Sequence, residues 1–235
     1  MKPPPFDYHR PRSLEDALAI LEGDPDAKPL AGGQSLLPML NFRLGRPSAL
    51  VDLGGIAELA GIRREDGALV VGAMTRQWDL EHDELTYPLL RDALRFVGHT
   101  ATRCRGTVGG SLVHADPTAE LPVCALALGA ELVTDRRTIP AQAFFVSVFT
   151  TALEPGELLV EVRFPAPVGE TWFREVAHRD GDFAVVCAAR NGDRIALGGV
   201  GATPVLWDGG ELEPIGDLYA PAGYKRAVAE RLIAQ

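Results

Sequence analysis

Apolar and polar positions recur with two different periods along the 235 residues, and the period changes at glycines and prolines. Leu14, Ala17, Leu18 and Leu21 follow helical spacing. Ser13 before them is a capping residue, Glu15 and Asp16 suit the positive end of a helix, and Gly23 supplies a stop. A short strand ending near Ala31 follows, then a turn at Gly32-Gly33, a helix over 36–44, and strands over 49–53 and 68–74. The chain therefore opens as a β-turn-α-β arrangement.

Further on, Leu89, Leu90, Ala93, Leu94 and Val97 give 87–97 an apolar helical face. Residues 98–116 show no period and read as irregular chain carrying Gly106, Gly109 and Gly110. A buried helix is expected over 121–128, and strands over 131–134 and 158–164, the latter closed by Pro165. Residues 165–169 have the composition of a linker. Strands are expected beyond it at 171–177, 183–190 and 194–200. Asn191-Gly192-Asp193 joins the last two as a hairpin signal. An amphipathic helix over 224–233 follows. The pattern divides the chain into 1–54, 55–166 and a β-then-α module over 170–235.

Composition changes this picture little, but it excludes several functions. Apolar residues make up 46% and charged residues 23%, ordinary for a globular chain. The 25 glycines and 18 prolines punctuate the sequence without forming a low-complexity block. A net charge of −9 argues against a nucleic-acid binder, which needs a basic face. Cys104, Cys124 and Cys187 are odd in number and form no CxxC, so neither a disulfide framework nor an iron–sulfur or zinc site is expected. Residues 1–13 have no signal-like apolar stretch, and the run 121–133 is too short to span a bilayer. A reducing cytoplasm is the expected location.

Two glycine pairs carry the candidate chemistry. Ala31-Gly32-Gly33-Gln34-Ser35 lies between a strand and a helix, and Thr107-Val108-Gly109-Gly110-Ser111 precedes Leu112 and a second helix. Paired glycines let backbone N–H groups converge on an anion and admit a ligand where a Cβ would clash. Each pair is followed by a serine hydroxyl, and a helix start after the first adds a favourable dipole. Together they suit a diphosphate, although either alone reads more readily as a tight turn. Other nucleotide and hydrolase signatures are absent: there is no GxxxxGK[ST] and no GxSxG. Gly199-Val200-Gly201 approaches GxGxxG but ends in Pro204, and the five histidines form no HExxH or HxH pair.

Six segments in order carry a family resemblance: 31–53, 71–80, 105–122, 156–165, 181–189 and 196–205. The chain resembles the FAD-binding medium subunit of the molybdenum hydroxylases, the family of carbon monoxide dehydrogenase and xanthine dehydrogenase. The resemblance implies an α+β chain. It would have a two-subdomain FAD-binding fold of the PCMH, vanillyl-alcohol-oxidase-like type, followed by a small antiparallel-sheet-plus-helix domain. That last domain looks shortened between Val205 and Tyr219.

By resemblance, Ala31, Gly32, Gly33, Gln34, Ser35 and Leu36 hold the FAD diphosphate, with Thr107, Gly109, Gly110 and Ser111 opposite. The family's ADPxAD pattern ends in a carboxylate that contacts the flavin nucleotide. Here Ala115-Asp116-Pro117-Thr118-Ala119-Glu120 puts a glutamate in its place, with Asp116 in the same loop. Leu159 matches a leucine near the flavin ring, and Asp182 and Phe183 match a pair at the ring's edge. Arg174 or Arg179 supplies the family's basic residue, with Glu175 an unusual neighbour.

The implied function is an electron-transfer oxidoreductase subunit that is inactive alone and has no catalytic residue or metal site of its own. A large partner would carry molybdopterin and a small one two [2Fe-2S] clusters, in a dimer of heterotrimers. The electron acceptor (NAD, a quinone or oxygen) stays open. So do two rival functions: a self-contained FAD oxidoreductase and a scaffold that has lost its cofactor.

Overall fold

A computed structural model describes residues 2–234. Strand β1 (Asp7–His9), helix α1 (Leu14–Gly23), β2 (Lys28–Leu30), α2 (Leu36–Asn41) and β3 (Ala49–Asp52) form the first unit. Its three strands pair in parallel in the order β1-β3-β2, so helical crossovers are needed to return the chain. The Ser13 hydroxyl accepts from the Asp16 N–H at 3.1 Å, which starts α1. Ala17 and Leu21 then bury against Val51, Leu53 and Leu59.

The second unit is larger. Strands β4 (Ile62–Glu65) and β5 (Ala68–Gly72) precede helices α3 (Gln77–His82), α4 (Pro88–Leu94), α5 (Thr100–Arg103), α6 (Val108–His114) and α7 (Glu120–Leu128). Then come β6 (Glu131–Thr134), β7 (Thr138–Pro140), α8 (Ala141–Phe144), a small hairpin of β8 (Phe145–Ser147) and β9 (Thr150–Thr151), and β10 (Leu159–Phe164). Strands β4-β5-β10-β6-β7 make an antiparallel sheet. All nine residues of α7 are buried, as expected of a helix that is apolar nearly all round. Glu120 is the one charged side chain among them.

The third unit is an antiparallel sheet of β11 (Thr171–Ala177), β12 (Ala184–Asn191), β13 (Arg194–Gly198) and β14 (Val205–Leu206), covered by α9 (Ala222–Ile233). The β12–β13 hairpin closes at the expected turn, with Asn191 opposite Arg194 and Gly192 at φ +60°. Helix α9 is tied down by the buried Lys225, whose Nζ donates to the Gly199 carbonyl at 2.8 Å and to Asp217 at 2.6 Å. Among the described residues no helix is long and apolar enough to cross a membrane.

Three expectations are corrected. Residues 98–116 are not irregular: they hold α5 and α6. The second glycine pair is therefore not a turn but the first turn of α6, capped by Thr107, whose hydroxyl accepts from the Gly110 N–H at 3.0 Å. The glycines are there for closeness, since a Cβ on Gly109 would lie 2.7 Å from the Ala73 carbonyl oxygen. Helix α2 stops at Asn41, so its six residues add only a small dipole behind the first glycine pair.

Candidate functional site

The first glycine segment leaves β2 and turns at Gly33, whose φ of +72° suits glycine. Among the described residues the N–H groups of Gly32, Gly33, Gln34 and Ser35 donate to no protein acceptor. Four consecutive free donors beside a cleft form an anion-binding concavity. The Ser35 hydroxyl does not cap α2 and is also free. Gly32 is pressed on the Arg105–Gly106 chain, where a Cβ would lie 2.8 Å from Gly106 Cα. That chain is itself held by the Arg76 guanidinium on the Arg105 carbonyl and by the Gln77 N–H on the Gly106 carbonyl at 3.0 Å.

Helix α6 brings the second segment opposite the first. A Cβ on Gly110 would lie 3.4 Å from Ala31 Cβ, so the two segments meet face to face. Between them runs a cleft of about 550 Å³, also lined by Thr107, Gly109, Ser111, Asp116 and Glu120. Glu120 opens α7, is only 6% exposed, and its side chain takes no hydrogen bond from any other described residue. Burial pushes its carboxyl up to about 7, and the neighbouring Asp116 charge adds to the effect. Asp116 itself accepts from the Thr118 N–H and hydroxyl, at 2.9 and 2.7 Å, and so shapes the loop. His114, also at the cleft, is pulled down by burial and stacks on Phe149 with ring centroids 4.9 Å apart.

Leu158 and Leu159 at the start of β10 line another wall with Glu157. The Glu157 carboxylate is closed off from solvent and accepts from Arg137, Thr134 and the Glu154 N–H, which holds it down at about 2. Its bonds are thus in place above the ordinary carboxylate range and are lost only as pH falls towards 2. Asp182 and Phe183 reach the cleft from the β11–β12 loop, with Phe183 65% exposed.

Fifteen of the sixteen expected residues therefore line one cleft; Arg174 does not. Its guanidinium lies 4.3 Å over the Trp172 ring and donates to the Leu232 carbonyl at 3.2 Å, under α9. The pleat of β11 explains this, because adjacent residues face opposite ways and Glu175 takes the side towards α7. Arg179 is exposed in the loop and does not line the cleft either. Sequence reasoning missed Gln77, which is 4% exposed, lines the cleft, and has a buried Oε1 with no partner. A glutamine just after the apolar strand β5, inside one of the family-like segments, was the available signal.

Comparison with known proteins finds a family model, curated relatives and solved structures. The family model described as "FAD binding domain in molybdopterin dehydrogenase" matches residues 4–167. Caffeine dehydrogenase subunit beta of Pseudomonas sp. (strain CBB1) is 44% identical over 227 residues, covering 87% of this chain and 76% of that protein. The carbon monoxide dehydrogenase medium chain of Hydrogenophaga pseudoflava is 36% identical and covers 99% of this chain and 96% of its own length. That alignment runs to 275 positions, longer than this chain, so internal segments of the relative have no counterpart here. Among solved structures, quinoline 2-oxidoreductase from Pseudomonas putida 86 superimposes with a TM-score of 0.93 at 37% identity. The match covers 99% of this chain and 95% of the other.

Proposed function

Because this chain belongs to the family of FAD-binding domains in molybdopterin dehydrogenases, we propose that the cleft between its two glycine segments seats FAD. The observation that carries this reading is the row of four free N–H donors from Gly32 to Ser35, set against Gly109 and Gly110. These groups suit the diphosphate, and the Ser35 and Ser111 hydroxyls add donors. Glu120 offers a buried acceptor for a hydroxyl of the nucleotide. Leu159 and the Asp182–Phe183 pair supply the remaining walls.

When bound, FAD would supply the redox chemistry, accepting electrons from [2Fe-2S] clusters on a small partner and yielding them to an external acceptor. The chain's own residues bind and orient the cofactor and shield part of it from water. The relatives are chains of dehydrogenases described by subunit, such as a medium chain and a subunit beta. That supports a multi-subunit complex, and our reading adds a large molybdopterin partner, a dimer of heterotrimers and a cytoplasmic location.

The direct test is the absorbance spectrum of the purified chain, which should show stoichiometric, dissociable flavin. Gly33→Val and Gly110→Val should empty the site while circular dichroism shows the fold retained. Unchanged flavin content in both folded variants overturns the assignment.

A further inference from the structure

Helix α3 begins at Gln77, whose N–H donates to the Gly106 carbonyl at 3.0 Å. That bond fixes the residue on one wall of the cleft. A Cβ on Gly106 would lie 3.0 Å from Gln77 Cδ and 3.0 Å from the Thr102 carbonyl oxygen. A Cβ on Gly98 would lie 3.1 Å from the Thr102 side chain, and one on Gly181 would lie 2.7 Å from His99 Nδ1. These close approaches join Gln77, through Gly106 and residues 98–102, to the loop that carries Asp182 and Phe183. Gly98, Gly106 and Gly181 all line the cleft and present no side chain to it. Bare backbone lets a flat ring lie against this wall, where a row of Cβ atoms would hold it off.

Gln77 sets a carboxamide into that surface. The residue is 4% exposed and lines the cleft. Its Oε1 is sealed from solvent without a partner. Its Nε2 is not sealed in this way and donates to no other described residue, so the donor end is the one open to the cleft. A buried acceptor left unpaired is costly, and a leucine or methionine would fill the same space without that cost. The open donor is what a glutamine offers here and an apolar side chain does not.

We propose that Gln77 Nε2 donates to a carbonyl oxygen of the isoalloxazine ring, and so both seats the flavin and raises its reduction potential. This deepens the FAD reading above and rests on it. The diphosphate is already met by the N–H groups of Gly32 to Ser35, and Glu120 offers an acceptor, not a donor. The ring's carbonyl oxygens are acceptors that lose water when the ring lies on this wall, and a donor set into the wall replaces it.

The same bond tells the two oxidation states of the ring apart. Two added electrons raise the electron density on the ring and its carbonyl oxygens, so a donor fixed there holds the reduced ring more tightly than the oxidised one. A site that prefers the reduced form shifts the redox equilibrium towards it by that difference in affinity. The protein supplies orientation and electrostatics in this way while the electrons stay on the cofactor. The backbone bond from Gln77 to Gly106 keeps the donor in place, since it ties the start of α3 to the wall itself.

The test uses the full chain with Gln77→Leu and Gln77→Glu, each checked for its fold by circular dichroism. Fluorescence titration reads the dissociation constants for FAD and for ADP, which lacks the ring. Dithionite titration against a reference dye reads the midpoint potential of the bound flavin. Gln77→Leu should weaken FAD binding by about three- to tenfold and lower the potential, with ADP binding as in the parent. Gln77→Glu, which puts an acceptor where the donor was, should lower affinity and potential further. A folded Gln77→Leu or Gln77→Glu chain with the parent's potential overturns the proposal even if affinity falls, because a packing role alone leaves the potential where it was. Equal losses for ADP and FAD overturn it as well. FAD that fails to bind the parent would overturn the FAD reading itself, and this proposal with it.

Discussion

At the scale of single residues, the same side-chain type serves unrelated ends according to its neighbours. Gly33 is required by its backbone, at φ +72°, whereas Gly109 is required by the Ala73 backbone packed against it. Asp116 and Glu120 are four positions apart, yet Asp116 accepts from Thr118 while Glu120, at the start of α7, takes no hydrogen bond from another described residue. Substitutions should separate them. Glu120→Ala should weaken FAD binding by roughly 1.5–3 kcal/mol, or about ten- to a hundredfold in dissociation constant. Asp116→Ala should act mainly by loosening the Thr118 turn, with a smaller effect on affinity. Fluorescence titration of both variants decides this; equal affinity for Glu120→Ala and parent would make Glu120 a structural charge only.

At the scale of elements, legibility followed the strength of the local signal. The hairpin at Asn191-Gly192-Asp193, the Ser13 cap and the apolar run of α7 could be read because turn chemistry, capping and burial act within a few residues. Strand β4 and helices α3, α5 and α6 could not. Each is short: β4 pairs with the next strand through the Asp66-Gly67 turn, where little apolar alternation marks it, and α6 is held by the distant Ala73 and Thr75 carbonyls. Glycine in α6 also masks the helical period, since it serves close packing and not propensity. The hairpin offers a check at this scale. Gly192 sits at φ +60° with its Cα side against the Val168 carbonyl, so Gly192→Ala brings both strain and a clash. It should destabilise the third unit by about 1–3 kcal/mol, read as a lower thermal midpoint. An unchanged midpoint would show that this turn does not constrain the sheet.

At the scale of the whole molecule, three sheets meet around one cleft, and its walls come from all three units. The isolated chain should have its flavin reduced by dithionite, while purines, aldehydes, N-heterocycles and CO leave it oxidised. Adding the large and small partner subunits should let the matching substrate bleach it. Reduction by an organic substrate in the lone chain would instead establish a self-contained oxidoreductase. What the sequence determined by itself was the family, the antiparallel β-then-α ending and the two glycine segments, because those depend on residue order and local backbone preference. Tertiary structure alone decided that Arg174 on β11 turns away from the cleft. The pleat turns Arg174 to α9 and Glu175 to α7, and only the packing of one sheet on another unit says which face lies inward. It likewise decided that Glu120 is buried, since burial depends on what distant parts of the chain bring alongside.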